Sequence, residues 1–334
     1  MNKDKREPCE RILVTGGAGY VGSALIPRLL ERGHDVAVLD TYWYGDVFSD
    51  LKSNPNLHQI KGDIRDKSLI SEVMDDQDAV IHLACISNDP SFDLNPSLGF
   101  SINLLAFPHL VSSAKESGVK RFIYASSSSV YGVKDIPNVK EDATPQPLTD
   151  YSRFKLACEE ILHNSADDMP FTIIRPATVC GYAPRLRLDL VVNILTINGL
   201  EAKVIKVDGG SQLRPNINIK DMVSVYETVL DAPIKNINGK TFNAGYENHS
   251  VGEIANIVKS VVTDAEIIIV PTNDNRSYHI NSDKIRQELG FKPRYTIREA
   301  VETLVAAYRE GKISDGLNNS LYHNKRRMKE LNVQ

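Results

Sequence analysis

The chain has 334 residues, of which 42% are hydrophobic and 25% charged, with a formal net charge of −4. That is enough apolar material for a sizeable core, in two domains or in one large domain with a cap. Neither half is strongly basic, which removes the electrostatic case for a nucleic-acid partner, and Lys325-Arg326-Arg327 reads as a solvated end. The four cysteines, Cys9, Cys85, Cys158 and Cys180, form no CxxC pair, which argues against a disulfide scaffold or a zinc site; no metal is expected. Cys85 and Cys180 sit in apolar runs and read as small core residues. Residues 1–10 are charged and lack an apolar h-region, and no run of about 18 apolar residues occurs. A cytoplasmic protein with no membrane association is expected.

In chain order, Arg11-Ile12-Leu13-Val14-Thr15 reads as a buried strand, and 23–31 as a helix with Leu25, Ile26, Leu29 and Leu30 on one face, stopped by Gly33. Residues 35–40 form a second strand, 58–63 a weaker third, 68–75 a short helix and 79–84 a fourth strand. A helix follows over about 96–117, with Pro108 expected to kink it or shift its boundary. Strands at 121–126 and 171–175 flank a helix over 152–163. Strands alternating with helices imply right-handed crossovers and an α/β, doubly wound parallel sheet. Beyond Pro176 the pattern loosens. It gives a helix over 188–196, a hairpin-like stretch over 203–213 around Gly209-Gly210, and a strand at 241–245 returning to the sheet. Helices over 251–262 and 296–310 flank a strand at 267–271. The expected division is a cofactor domain of 1–180 plus about 216–250, and a smaller, discontinuous mixed α/β lobe of about 181–215 plus 251–315. A loose polar tail, 316–334, completes it.

Thr15-Gly16-Gly17-Ala18-Gly19-Tyr20-Val21-Gly22 lies between the first strand and the first helix. Gly16 permits the tight turn, Gly19 lets a pyrophosphate approach the backbone, and Gly22 lets the helix pack closely. The strand-before, helix-after context makes this a dinucleotide site, with Tyr20 and Val21 among its residues. Asp40 ends the second strand where a carboxylate accepts hydrogen bonds from the adenosine ribose and repels the extra phosphate of NADP. NAD is therefore the expected cofactor. Asp63 and Ile64 are placed by the adenine, and Leu83 and Ala84 beside the cofactor.

Tyr151 and Lys155 lie four apart on the helix over 152–163, so they share a face, and Thr149 or Asp150 can cap it. A nearby ammonium stabilises phenolate, so Tyr151 is expected to titrate well below the free value of about 10 and act as a base near neutral pH. Ala125-Ser126-Ser127-Ser128-Ser129-Val130-Tyr131-Gly132 leaves a buried strand at the ligand edge of the sheet, where a serine hydroxyl can bridge substrate and phenol. No G-x-S-x-G elbow supports a nucleophilic serine instead.

Together with Arg175-Pro176-Ala177-Thr178-Val179-Cys180-Gly181, these motifs, in this order, resemble the extended short-chain dehydrogenase/reductase family of nucleotide-sugar epimerases, dehydratases and ketoreductases. The resemblance runs from Arg11 to about Arg309 and implies a Rossmann fold with a substrate-binding lobe. It implies Ser127, Tyr151 and Lys155 as catalytic residues, Lys155 also holding the nicotinamide ribose, and Asn103 lining the cofactor site. On the substrate side it implies Ser87, Asn88, Ser128 and Arg214, with Arg276 gripping the diphosphate of a nucleotide sugar. It also implies a homodimer formed through the helices over 96–117 and 152–163.

The family mechanism is hydride transfer, with Tyr151 taking a proton from a sugar hydroxyl while its carbon reduces NAD. Family dehydratases carry Asp-Glu directly after the catalytic hydroxyl; here Ser128-Ser129 stand there, which argues against elimination. An epimerase acting at C4 is expected, with NADH retained between its two half-reactions. The alternative is a 4-dehydrogenase or 4-ketoreductase of surface-polysaccharide synthesis. Pro184-Arg185-Leu186-Arg187-Leu188-Asp189-Leu190-Val191-Val192-Asn193 is similar to the loop of nucleotide-heptose 4-dehydrogenases. In it Arg185 and Arg187 would meet phosphate or a carboxylated co-substrate, and Asn193 would cap the sugar or base. A catalytically silent NAD-sensing protein is the reading outside enzymology; the presence of both Tyr151 and Lys155 argues against it.

Overall fold

The computed structural model describes residues 11–134, 137–166, 168–272, 277 and 279–333. The first half alternates as read. β1 (Arg11–Thr15), α1 (Tyr20–Glu31), β2 (Asp35–Asp40), β3 (Leu57–Lys61), α2 (Lys67–Met74) and β4 (Ala79–His82) are followed by a single turn, α3 (Asp89–Phe92). The helix expected over 96–117 is broken into α4 (Pro96–Phe100), a π-helical turn (Ser101–Leu105) and α5 (Phe107–Glu116). Pro108 falls in the first turn of α5, where its missing N–H leaves nothing unpaired, so the wide turn absorbs the break. Then come β5 (Arg121–Ala125), α6 (Asp150–Ser165) and β6 (Phe171–Pro176). A reciprocal cap between Thr149 and Ser152 starts α6 at the required place.

Further elements are β7 (Thr178–Cys180), α7 (Val191–Glu201), β8 (Val204–Asp208), β9 (Leu213–Asn218), α8 (Ile219–Asp231), α9 (Ile234–Ile237) and β10 (Lys240–Ala244). After these come β11 (Glu247–Ser250), α10 (Val251–Val261), β12 (Glu266–Val270), α11 (Asp283–Leu289), α12 (Ile297–Arg309) and α13 (Asn324–Leu331).

The main sheet has seven strands in the order β10-β6-β5-β4-β1-β2-β3. All its pairings are parallel. The central strands β1, β4 and β5 are apolar and almost wholly buried, as a sheet covered by helices on both faces requires. Strand order reverses between β1 and β4, which opens a crevice beyond their carboxyl ends. A three-stranded sheet, β11-β9-β7, and a two-stranded one, β12-β8, complete the fold.

Two expectations need correction. The stretch 203–213 is no hairpin: β8 pairs in parallel with β12, while β9 joins β7 and β11. The two glycines carry the chain from one small sheet to the other, both at positive φ (82° and 127°). Nor are residues 316–333 a loose tail. α13 buries Met328 in the core beside Trp43 and Ile64, and Asn324 is 4% exposed. Among the described residues no helix is long and apolar enough to cross a membrane.

Candidate active site

The crevice at the carboxyl ends of β1, β2, β4 and β5 is a cleft of about 830 Å³. That is at the upper end of the range for ligand sites. The glycine turn forms its floor. Gly16 has φ +72°, and a Cβ there would lie 2.5 Å from the backbone of Ala84. A Cβ on Gly22 would lie 2.2 Å from the carbonyl oxygen of Gly17, so this glycine seats the helix on the turn itself. At Gly19 a Cβ would meet only the Gly16 oxygen, at 3.0 Å. Gly19 is the N-cap of α1, no side chain caps it, and the first turn holds no acidic residue. The helix N-terminus is therefore open to an anion arriving from the cleft, and these residues fit a dinucleotide pyrophosphate.

Asp40 lies at the end of β2, its carboxylate accepting from the amides of Ala18 (3.0 Å) and Tyr42 (2.8 Å). Burial raises its pKa, with these amides and the Arg185 charge acting in the opposite sense. Asp63, Ile64, Leu83 and Ala84 also line the cleft, as do Gly16, Gly19, Tyr20 and Val21. The Asp63 carboxylate is engaged by Arg65 at 2.7–3.0 Å; burial opposes its charge, but those bonds leave its pKa lowered. The Tyr20 hydroxyl is turned to the lobe, donating to the Gly181 carbonyl at 2.6 Å and accepting from Asn193 at 3.1 Å.

Ser127, Tyr151 and Lys155 meet on the opposite wall. Ser127 caps the short turn Ser128–Tyr131, accepting from the Ser129 amide at 3.1 Å, and its hydroxyl pairs with that of Ser129 at 2.8 Å. The same hydroxyl favours the ionised form of the Tyr151 phenol. Lys155 donates to the Ala125 carbonyl at 2.6 Å, with its ammonium 5.9 Å from the Tyr151 ring centre and 5.0 Å from that of Tyr124. The expected depression of Tyr151 is not present. Burial raises its pKa above the ordinary phenol value, while the Arg187 charge and the Ser127 hydroxyl pull it down. The physical reason is that the half-buried phenol sits in the cleft, where desolvation outweighs the nearby charges, and the ammonium is turned to the end of β5.

Beneath this wall lies a buried polar network. Glu159, one turn beyond Lys155 on α6, accepts from Arg175 Nε (3.0 Å) and Nη2 (2.6 Å) and from the Ser126 hydroxyl. Arg175 also donates to the Tyr131 hydroxyl at 2.9 Å, which donates to Asn243 at 2.7 Å. These bonds fix the backbone on both sides of Ser127. His82, at the end of β4, pairs with the Thr15 hydroxyl at 2.6 Å; burial, with Lys155 nearby, pushes its pKa down to about 3.

Of the expected substrate residues, Ser87, Asn88, Ser128, Arg185, Arg187 and Arg214 line the cleft. Arg187 forms a two-pronged pair with Asp189 (3.0 and 2.6 Å), and Asn88 donates to the same carboxylate. Arg185 is 3% exposed, stacks 3.7 Å over the Tyr44 ring and donates to Asn324 and to the Leu186 carbonyl. Burial pushes its pKa down to about 10. Two expected residues do not face the cleft. Asn103 spends its carboxamide on the Ile86 backbone (2.8 and 2.9 Å), and Asn193 on Gly181, Tyr20 and Arg187. Each steadies a wall of the cleft. Cys85, expected in the core, is half-buried on the cleft wall. Arg276 lies outside the described residues. Sequence reasoning missed Tyr44, Asp189, Asn324 and Met328, which line the same cleft. Only Asp189 left a trace, its two-residue spacing from Arg187.

A doubly wound sheet with a glycine turn, an acidic β2 terminus and a convergent Ser-Tyr-Lys set defines a short-chain dehydrogenase-type enzyme. Over residues 12–245 the chain matches the model of the NAD dependent epimerase/dehydratase family, and it belongs to that family. NAD is its cofactor. It is 28% identical over 323 residues to a UDP-glucose 4-epimerase of Lactobacillus helveticus, covering 89% of this chain and 95% of the relative. It is 32% identical over 264 residues to an uncharacterized UDP-glucose epimerase of Bacillus subtilis (75% and 82% covered). Its structure is similar to that of UDP-glucuronic acid 4-epimerase from Bacillus cereus in complex with UDP-glucuronic acid and NAD. The TM-score is 0.82 at 27% identity, over 90% of this chain and 99% of the other.

Proposed function

We propose that the protein epimerises a nucleotide-diphosphate sugar at one sugar carbon, C4, with Tyr151 as the base. The observation that carries this reading is the convergence of Ser127, Tyr151 and Lys155 with the glycine turn on one cleft of about 830 Å³. NAD, held by the glycine turn and Asp40, would supply the acceptor and then the donor of a hydride at the sugar carbon. The chain's own residues handle the proton. Ser127 bridges the sugar hydroxyl and the Tyr151 phenol, Arg187 supplies positive charge that favours phenolate, and Lys155 holds the ribose beside it. Ser128 is buried and Ser129 is tied to Ser127, so no acid and base stand there to expel water. The diphosphate and nucleotide occupy the end near Lys206, Gln212 and Arg214, with Arg276 as the diphosphate ligand. UDP-glucose and UDP-glucuronic acid, named for the relatives, are the first substrates to offer.

The test is incubation with UDP-, GDP-, CDP- and dTDP-sugars, following sugar stereochemistry by NMR. If Tyr151→Phe turns over every converted sugar at the unaltered rate, the reading fails. A 4-dehydrogenase or 4-ketoreductase is the second reading, favoured by the Arg187–Asp189 pair beside Tyr151, a charged wall able to receive an anionic co-substrate. Net accumulation or consumption of NADH would select it. We further propose a cytoplasmic homodimer through the α4–α5 and α6 faces, where Phe100 and Leu105 are 39% and 59% exposed. Sedimentation as a monomer at micromolar concentration would remove the dimer.

A further inference from the structure

We propose that α13 is the retaining wall of the dinucleotide site, and that Asn324 is the positioning residue which locks it there. The helix lies beyond the span of the family match, which ends at residue 245. It nevertheless ties together three separate loops at the mouth of the cleft. Asn324 accepts from the Arg185 guanidinium and donates to the Ser87 hydroxyl (3.2 Å) and carbonyl (3.4 Å). Arg327 Nε donates to the Trp43 carbonyl at 2.7 Å, three residues past Asp40. Met328 is 2% exposed, packs in the core cluster that includes Trp43 and Ile64, and lines the cleft together with Asn324. Beyond the helix, the Val333 carbonyl accepts from Asn95 at 3.4 Å.

The loops after β2 and β4 and the segment after β7 are otherwise separate in sequence. Both the Asp40 end and the Ser87 end of the cleft must stay closed if the dinucleotide is not to leave. Asn324 suits this task because its carboxamide is a donor and an acceptor at once, so a single buried side chain satisfies Arg185 and Ser87. Arg185 in turn stacks on Tyr44, which extends the same wall toward Asp40. An enzyme that oxidises a sugar and then reduces it again gains from such a wall, because the reduced cofactor must remain through both half-reactions. The inference deepens the epimerase reading, but it concerns cofactor residence and is measured without any sugar.

The test uses the full chain loaded with 1,N6-etheno-NAD, chased with excess NAD while the fluorescence of the released analogue is followed. Asn324→Ala removes all three bonds of the carboxamide. Arg327→Ala removes the Trp43 tie from a side chain that is 25% exposed, outside the buried core that Asn324 belongs to, and so remains informative if the first variant folds poorly. At least one variant is expected to release the analogue about tenfold faster than the unaltered protein, the effect of losing about one well-made hydrogen bond to a charged or buried group. The proposal falls if both variants release it within about twofold of the unaltered protein. It falls equally if the unaltered protein loses its dinucleotide within a single gel-filtration run. Either result leaves the sugar-stereochemistry test of the epimerase reading untouched.

Discussion

Replacing Glu159 with Gln is the sharpest perturbation of the scaffold under the catalytic wall. The two side chains of the Glu159–Arg175 pair are 3% and 7% exposed, and their nitrogen–oxygen contact is 2.6 Å. Burial works against the Arg175 charge, yet the Glu159 carboxylate more than offsets it and raises the guanidinium pKa. Gln keeps the shape and one acceptor but leaves the guanidinium uncompensated. Breaking a buried pair by removing one partner costs about 3–5 kcal/mol. By contrast, the Arg28–Glu31 pair has side chains 51% and 60% exposed, and Glu31→Gln should stay within about 0.5 kcal/mol of the unaltered protein. Equilibrium urea unfolding at fixed NAD concentration reads both. A loss below about 1 kcal/mol in Glu159→Gln would refute the claim that this pair anchors the Ser127 wall.

Tyr151→Phe should lower kcat by about 10²–10⁴-fold with the fold intact, checked by steady-state kinetics and circular dichroism. Gly16→Ala should abolish stable NAD binding, since its Cβ would overlap the Ala84 backbone at a positive φ; isothermal titration calorimetry checks this. Because burial raises the Asp40 pKa, its carboxylate is a cost that grows as pH rises from the unfolded value toward the folded one and is fully present at neutral pH. Asp40→Asn should therefore stabilise the cofactor-free protein at pH 7 while weakening preference for NAD over NADP, read by thermal melts and competitive binding. His82, pushed down to about 3, cannot take a proton that the unfolded chain takes near 6.5. As pH falls from 6.5 toward 3 the folded state should lose roughly 1.4 kcal/mol of stability per pH unit, and His82→Gln should flatten that part of the pH–stability curve.

The main sheet was legible because β1, β2, β4, β5 and β6 are short apolar runs bounded by glycine, proline or charge, and a parallel sheet covered on both faces demands that signature. The glycine turn was legible for a related reason: backbone crowding at Gly16 and Gly22 leaves no alternative residue. The small sheets were not. β8 pairs with a strand some sixty residues away, and nothing in Gly209-Gly210 separates a hairpin from a passage between sheets. α13 was misread because its exposed face carries Lys325, Arg326 and Lys329, which mask the single buried edge of Asn324 and Met328. Among the site residues, the family resemblance put Arg185, Arg187 and Asn193 in one segment but did not say which would point into the cleft. That depends on long-range partners such as Tyr44 and Tyr20. The direction of the Tyr151 shift was missed for the same reason, since spacing reports a shared helix face and says nothing of enclosure or of where Lys155 spends its ammonium.

The most direct test of the central claim is a proton NMR time course of the purified protein with UDP-glucose and UDP-glucuronic acid, recorded alongside absorbance at the NADH band. The account predicts that one of them, or another nucleotide sugar in the panel, converts to its C4 epimer with no net change in free NADH. Tyr151→Phe should prevent that conversion. Inversion undiminished in that variant, or turnover that only accumulates a ketone and NADH, would contradict it.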